Sequence, residues 1–348
     1  MKCVAIGDNF ITPDMMKAGI ESCKEVRFTE VEYFFFGLDS RAEMRNIVKI
    51  IETGGFEDLD LPVGLLEAVE DADVIMCHLC PITKRVLERA KRLKLVLCNR
   101  GGHENIDVEA CTERNVAVIL NPCHNANAVA EFTVGLILNE TRNISRSAAA
   151  INKGEWREEY PNTETAIHEI RDMTIGLIGF GAVGQFVYQK LKAFDCRFLI
   201  ADPYVNNDDI NKNIAEFVTF EQLLKNSDIV SLHARLSRKA VFIGEEQFKL
   251  MKPTAYFINT ARSYMVDYKA LAQALKKGAI MGAAIDVFEK EPIDEFNPLL
   301  HLDNCTLTNH RGGDTINSYS DSPAAMMKEA RLFFDGDTSK YWINSSIR

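Results

Sequence analysis

The sequence predicts an α/β protein with parallel sheets, divided into two domains. Short β-rich runs alternate with helical patterns along the whole chain, which is the signature of βαβ units. The 348 residues exceed what one core usually serves, at about 100–200 residues per domain. A glycine-rich turn also stands between a strand pattern and a helix pattern near the middle of the chain.

In the first third the strand candidates are Lys2–Ile6, Val74–Met76, Leu95–Cys98 and Ala117–Leu120. Helix candidates such as Lys84–Arg92 and Val108–Arg114 lie between them, making a small α/β unit. A long helical stretch then runs from Ala126 to about Asn152 and ends at Gly154, with apolar Ala130, Val134, Ile137 and Leu138. It is longer than an ordinary crossover helix and is expected to link two domains or to pack against another subunit. A second series follows: Thr174–Ile178, Arg197–Ala201, Ile229–Leu232, Tyr256–Asn259, Gly282–Ile285 and Thr306–Leu307. Six such strands match a complete dinucleotide-binding sheet. A further helical stretch, Ser322–Phe334, comes after it.

With 40 basic and 50 acidic residues the net charge is −10, which argues against a nucleic-acid partner. No apolar run approaches the roughly 18 residues of a membrane span. Met1–Asp8 reads as a strand and turn, without the long apolar core of a signal peptide. A cytoplasmic location with nine reduced cysteines is therefore expected. Cys77 and Cys80 form a CxxC pair, but no second pair completes a zinc site. They read as a strand end and its loop, and no metal is expected.

Gly179-Phe180-Gly181-Ala182-Val183-Gly184 fits G-x-G-x-x-G. Gly179 permits the tight turn, Gly181 lets the backbone approach a pyrophosphate, and Gly184 lets helix and strand pack closely. The helix that opens at Ala182 and Val183 offers N–H groups and a partial positive charge to the phosphates. Asp202 lies 21 positions after Gly181, at the end of the next strand, where a carboxylate accepts from ribose hydroxyls and repels a 2′-phosphate. Pro203-Tyr204-Val205-Asn206 contains no base to hold that phosphate, so NAD is expected rather than NADP.

Four stretches in order, Thr174–Gly184, Met251–Arg262, Gly282–Pro292 and Thr308–Gly313, resemble the D-isomer-specific 2-hydroxyacid dehydrogenase family over nearly the whole chain. The resemblance implies two Rossmann-like or flavodoxin-like domains with the active site in the cleft between them. It implies a cofactor domain at about 124–313, inserted into a substrate domain made of 1–123 and 314–348. It also implies a homodimer built through the cofactor domain.

The catalytic residues that the resemblance implies are Arg262, Glu291 and His310. The chemistry asks for the same three types. Reducing a 2-keto acid needs a proton for the carbonyl oxygen, which an imidazole supplies near neutral pH. A carboxylate on the other ring nitrogen fixes the tautomer, and a guanidinium fork grips the substrate carboxylate. Arg262 and His310 thus face cofactor and substrate alike. Further cofactor positions implied are Pro203, His233, Ala234, Thr260, Ala261, Asp286 and Gly312. The loop Asn99–Asp107 matches the family's substrate loop, with Arg100, Gly101 and Gly102 as carboxylate-binding candidates. Cys80 and Pro81 match the other substrate-facing segment.

Several residues depart from the common family pattern: Arg100, His103, Arg235, Ser263, Asn309 and Arg311. Arg100 and Arg311 are expected to add positive charge that favours a second anionic group, a phosphate or a carboxylate, as in 3-phosphoglycerate. Formate dehydrogenases share the fold but carry glutamine where Glu291 stands. An NAD-sensing protein of the corepressor type is the alternative, since such proteins keep the same three residues. An S-adenosylmethionine enzyme would have no use for the later motifs. The expected activity is an NAD-dependent oxidoreductase acting on a small 2-hydroxy acid.

Overall fold

The computed structural model describes residues 1–205, 210–235 and 240–347, so Asn206 lies outside the described residues. They form two compact units, Met1–Asn125 with the chain from Thr315 onward, and Ala126–Asp314.

The first unit holds β1 (Lys2–Gly7), β2 (Glu30–Phe35), β3 (Val74–Cys77), β4 (Leu95–Cys98) and β5 (Ala117–Leu120). All pair in parallel, in the order β2-β1-β3-β4-β5, with Cys77 opposite Cys98. Every residue of β3, β4 and β5 is buried, because apolar side chains cover both faces of the sheet. Met44 and Ile51 of the helix Arg41–Glu52 join one core, with Val86 and Leu87 of Lys84–Arg89. Met16 and Ile20 of Pro13–Ser22 join the other, with Met326, Met327 and Ala330 of Ser322–Asp335. These last two helices meet at Gly19, where a Cβ would lie 2.4 Å from the Pro323 Cβ. Beyond them the chain lies along β5: Leu120 N–H donates to the Tyr341 carbonyl (3.1 Å) and Ile343 N–H to the Val118 carbonyl (3.0 Å).

The second unit holds β6 (Thr174–Ile178), β7 (Arg197–Ala201), β8 (Ala215–Phe217), β9 (Ile229–Leu232), β10 (Tyr256–Asn259), β11 (Gly282–Ile285) and β12 (Cys305–Leu307). Their order is β12-β11-β10-β9-β6-β7-β8, again all parallel. The chain runs outward from β6 to β8, then restarts on the other side at β9. The switch point thus falls between β6 and β9, and their carboxyl ends frame a ligand crevice.

Two strands were not expected from the sequence. β2 carries Glu30 and Glu32 on a half-exposed edge, and β8 spans three residues, too few to show a period. The stretch expected as one helix is two, Ala126–Arg142 and Ile144–Asn152. Asn143 breaks it with a left-handed backbone (φ 54°), and its Nδ2 donates to Asn162 Oδ1 at 2.7 Å. A short amide side chain that bonds locally tolerates that conformation better than most residues.

Candidate active site

The glycine turn closes the carboxyl end of β6. Gly179 has φ +91°, and a Cβ there would lie 2.6 Å from the Ala234 nitrogen. At Gly184 a Cβ would lie 2.3 Å from the Gly179 carbonyl, so helix Ala182–Leu191 packs directly on the turn. Around a Cβ placed at Gly181 no atom of the described residues outside its own turn and helix lies within 4 Å, which leaves the helix N-terminus open to a phosphate group. Asp202 follows β7 and braces the turn: Oδ2 accepts from Phe180 N–H (2.7 Å) and Oδ1 from Tyr204 N–H (2.8 Å). Pro203 beside it is exposed.

His233 follows β9, across the switch point from the turn, and its N–H donates to the Ile178 carbonyl at 2.7 Å. Its Nε2 lies 2.9 Å from Ser231 Oγ, while Nδ1 is sealed and without a partner. Burial lowers this imidazole to about 4. An orphaned ring nitrogen beside an open glycine turn fits a polar cofactor group there. Arg235, further along the same loop, is exposed.

The second cluster gathers on the loops after β11 and β12. His310 Nδ1 lies 2.9 Å from Glu291 Oε2 and 3.0 Å from Oε1, and Phe288 N–H donates to Oε1 at 3.0 Å. His310 holds a left-handed backbone, φ 56°. Asp286, which is buried, explains how that turn is kept. Its Oδ1 accepts from Arg311 N–H (2.9 Å) and Thr308 Oγ1 (2.7 Å), and its Oδ2 from Gly312 N–H (2.9 Å). Asp286 thus clamps both sides of His310.

Arg262 follows β10. It is exposed, its Nη1 donates to the Ala261 carbonyl (2.7 Å), and no carboxylate among the described residues pairs with it. Asn259, which the sequence reading passed over, shapes that turn. Its Oδ1 accepts from Ala261 N–H (3.0 Å) and its Nδ2 donates to the Arg262 carbonyl (3.3 Å). Thr260 Oγ1 lies 2.8 Å from Thr133 Oγ1 inside the unit. The signal for Asn259 was its place at a strand's carboxyl end, where an amide can bond two neighbouring peptides.

In the first unit, Arg100 follows β4. Its guanidinium meets Glu52 (3.5 Å) and Glu104 (3.4 Å), both through Nη2, with only 13% of the side chain exposed. Arg311, in the second unit, is paired with Asp314 at 2.6 Å. Acids thus lie beside both arginines expected to add positive charge: Glu104 and, 48 positions earlier, Glu52 at Arg100, and Asp314 at Arg311. Gly101 packs on Pro122, where a Cβ would lie 2.9 Å from Cα. Gly102 faces the Glu104 side chain, and His103 is exposed. Cys77 ends β3, Cys80 and Pro81 are buried in its loop, and burial raises the Cys80 thiol well above the usual range.

Residues 134–312 match the model of the D-isomer specific 2-hydroxyacid dehydrogenase NAD-binding domain. The chain is 36% identical over 306 residues to D-3-phosphoglycerate dehydrogenase of Methanocaldococcus jannaschii, covering 85% of this chain and 57% of that longer protein. It is 39% identical over 256 residues to glyoxylate reductase of Thermofilum pendens, covering 72% of this chain and 75% of the relative. Its fold is similar to the NAD-complexed D-isomer specific 2-hydroxyacid dehydrogenase of Lactobacillus delbrueckii ssp. bulgaricus (TM-score 0.76, 21% identity, 99% and 100% covered). The open glycine turn thus belongs to an NAD-binding domain.

Proposed function

Since the chain belongs to the D-isomer specific 2-hydroxyacid dehydrogenase family, we propose that it interconverts a small 2-hydroxy acid and its 2-keto acid with NAD(H). Bound NADH would supply the hydride, from C4 of its nicotinamide to the carbonyl carbon. His310 donates a proton from Nε2 to the carbonyl oxygen and takes it back in the reverse direction. Glu291 accepts from Nδ1, which keeps Nε2 as the exchanging atom and offsets the charge of the imidazolium. Arg262 receives the substrate carboxylate on its fork and polarises the carbonyl. Gly179, Gly181 and Gly184 form the pyrophosphate seat, and Asp202 selects NAD over NADP.

The observation that carries this reading is the two-pronged contact of His310 Nδ1 with Glu291, at 2.9 and 3.0 Å, on a loop that Asp286 fixes. Glyoxylate and the phosphorylated three-carbon acids, named for the relatives, bracket the substrate. Exposed Ile144, Ile151 and Trp156 fit a homodimer formed through the second unit. No helix among the described residues is long and apolar enough to cross a membrane, and free cysteines suit a cytoplasmic enzyme. The test follows NADH oxidation with glyoxylate, pyruvate, oxaloacetate and phosphohydroxypyruvate. Turnover of at least one supports the reading, and an NADH-binding protein inert toward all four overturns it.

A further inference from the structure

β10 and β11 run side by side, and their last residues, Asn259 and Ile285, stand opposite one another. The pairing goes one step further, where Asp286 N–H donates to the Asn259 carbonyl at 3.0 Å. Beyond that point the two segments become loops. One carries Arg262 and the other Glu291, and no strand pairing among the described residues reaches either.

Tyr268 stands where these loops diverge. It opens the helix Tyr268–Lys276, which Asp267 caps by accepting from Lys269 N–H (2.9 Å) and Ala270 N–H (3.0 Å). The cap fixes where the helix begins and so where the phenol enters the second unit. Tyr268 is only 6% exposed, and its ring stands edge-on to Phe288 with centroids 6.3 Å apart. An apolar ring would serve such a core position, and a buried hydroxyl is costly unless it is bonded. Here both of its roles are filled. Oη donates to the Val287 carbonyl at 2.5 Å and accepts from Asn259 Nδ2 at 3.3 Å. Burial pushes the phenol well above its usual range, with Cys305, Glu289 and Glu291 adding to it, so the proton stays on Oη.

Each partner of the hydroxyl leads to a reacting group. The Val287 carbonyl and the Phe288 N–H belong to one planar peptide unit, and that N–H donates to Glu291 Oε1 at 3.0 Å. Gripped at its oxygen by Tyr268, this peptide keeps its N–H aimed at the carboxylate that holds His310 Nδ1. A bond to the oxygen also polarises the peptide and strengthens its N–H as a donor. On the other side, Asn259 Nδ2 donates as well to the Arg262 carbonyl at 3.3 Å, while Asn259 Oδ1 accepts from Ala261 N–H. A continuous run of hydrogen bonds thus joins the turn of Arg262 to Glu291 and His310, with one phenol at its centre. Tyr268 lies outside the motif stretches Met251–Arg262 and Gly282–Pro292 and between them.

We propose that Tyr268 is a positioning residue for the reaction, tying the turn of Arg262 to the peptide that orients Glu291 toward His310. This deepens the reading of a 2-keto acid reductase and rests on it.

Tyr268→Phe removes the hydroxyl and keeps the ring against Phe288. With the best-used of glyoxylate, pyruvate, oxaloacetate and phosphohydroxypyruvate, kcat for reduction should fall about fivefold, the worth of one net hydrogen bond. The pH above which reduction fades should move down by about half a unit, because Glu291 then supports the imidazolium less well. NADH affinity should be unchanged. In a Glu291→Gln background, loss of the hydroxyl should not move the pH profile further, and a second, additive shift overturns the route through Glu291. A fall in kcat with the pH profile unmoved marks a purely structural role and overturns the proposal, as does a folded Tyr268→Phe with wild-type kcat. If Tyr268→Phe shows no cooperative melt, Tyr268→Met, which fills irregular space without a donor, must show the same two changes. A wild type that binds NADH but turns over none of the four acids overturns the underlying reading instead.

Discussion

His310 shows how much one residue's chemistry depends on its neighbours. Glu291 takes Nδ1, Asp286 fixes the turn on which the ring stands, and Nε2 is left for the substrate. His310→Ala should therefore lower kcat by about 10²–10⁴-fold, the usual worth of a placed acid–base group, with NADH affinity largely kept. Steady-state assays and NADH titration check it, and near wild-type turnover sinks the role. The glycines of the nucleotide turn divide in the same way. Gly184→Ala would put a methyl group 2.3 Å from a backbone carbonyl, so the melting temperature should fall sharply. Gly181→Ala points into open space and should leave the melting temperature unchanged while weakening NADH at least tenfold. Equal melting losses in both would remove the distinction.

At the level of elements, the buried strands were legible because parallel strands covered on both faces read as short apolar runs. Val74–Cys77, Leu95–Cys98 and Tyr256–Asn259 are of this kind, and each is wholly buried. The glycine turn and the Glu291–His310 pair were legible because their chemistry fixes residue type and order. β2, β8 and the break at Asn143 were not, since edge strands alternate weakly and one left-handed residue leaves no period behind. Neither was the hydrogen bond between Asp8 and His78, which stand 70 positions apart and meet only through the parallel pairing of β1 with β3. Asn143 gives a prediction at this scale. Asn143→Ala keeps the left-handed demand and loses the bond to Asn162, so it should destabilise by about 1–3 kcal/mol, and Asn143→Gly by less. Chemical denaturation of the two variants decides it, and an alanine variant as stable as the glycine one would refute it.

Over the whole molecule, each unit keeps a neutral, partly buried histidine, His124 in the first and His233 in the second. Burial lowers both to about 4, below the value near 6.5 of an unfolded chain. Between those values the unfolded chain binds protons that the native one refuses, so stability is full above pH ~6.5 and declines as pH falls toward 4. His124→Gln should flatten that decline in melts from pH 7 to pH 4.5, and a parallel decline would exclude His124 as a cause.

The helix Ser322–Asp335 and the strip beside β5 have a consequence for the birth of the protein. Met326 and Met327 fill a core that Cys3, Ala5 and Ile11 begin, so contacts span more than 300 positions. A ribosome releases the whole nucleotide-binding unit before it delivers the helix that the opening residues await. Until then Pro13–Ser22 shields that face of the first sheet only in part, and partly uncovered apolar faces are where nascent chains misassociate or call on chaperones. Completing that core closes a loop of more than 300 positions, which slows folding.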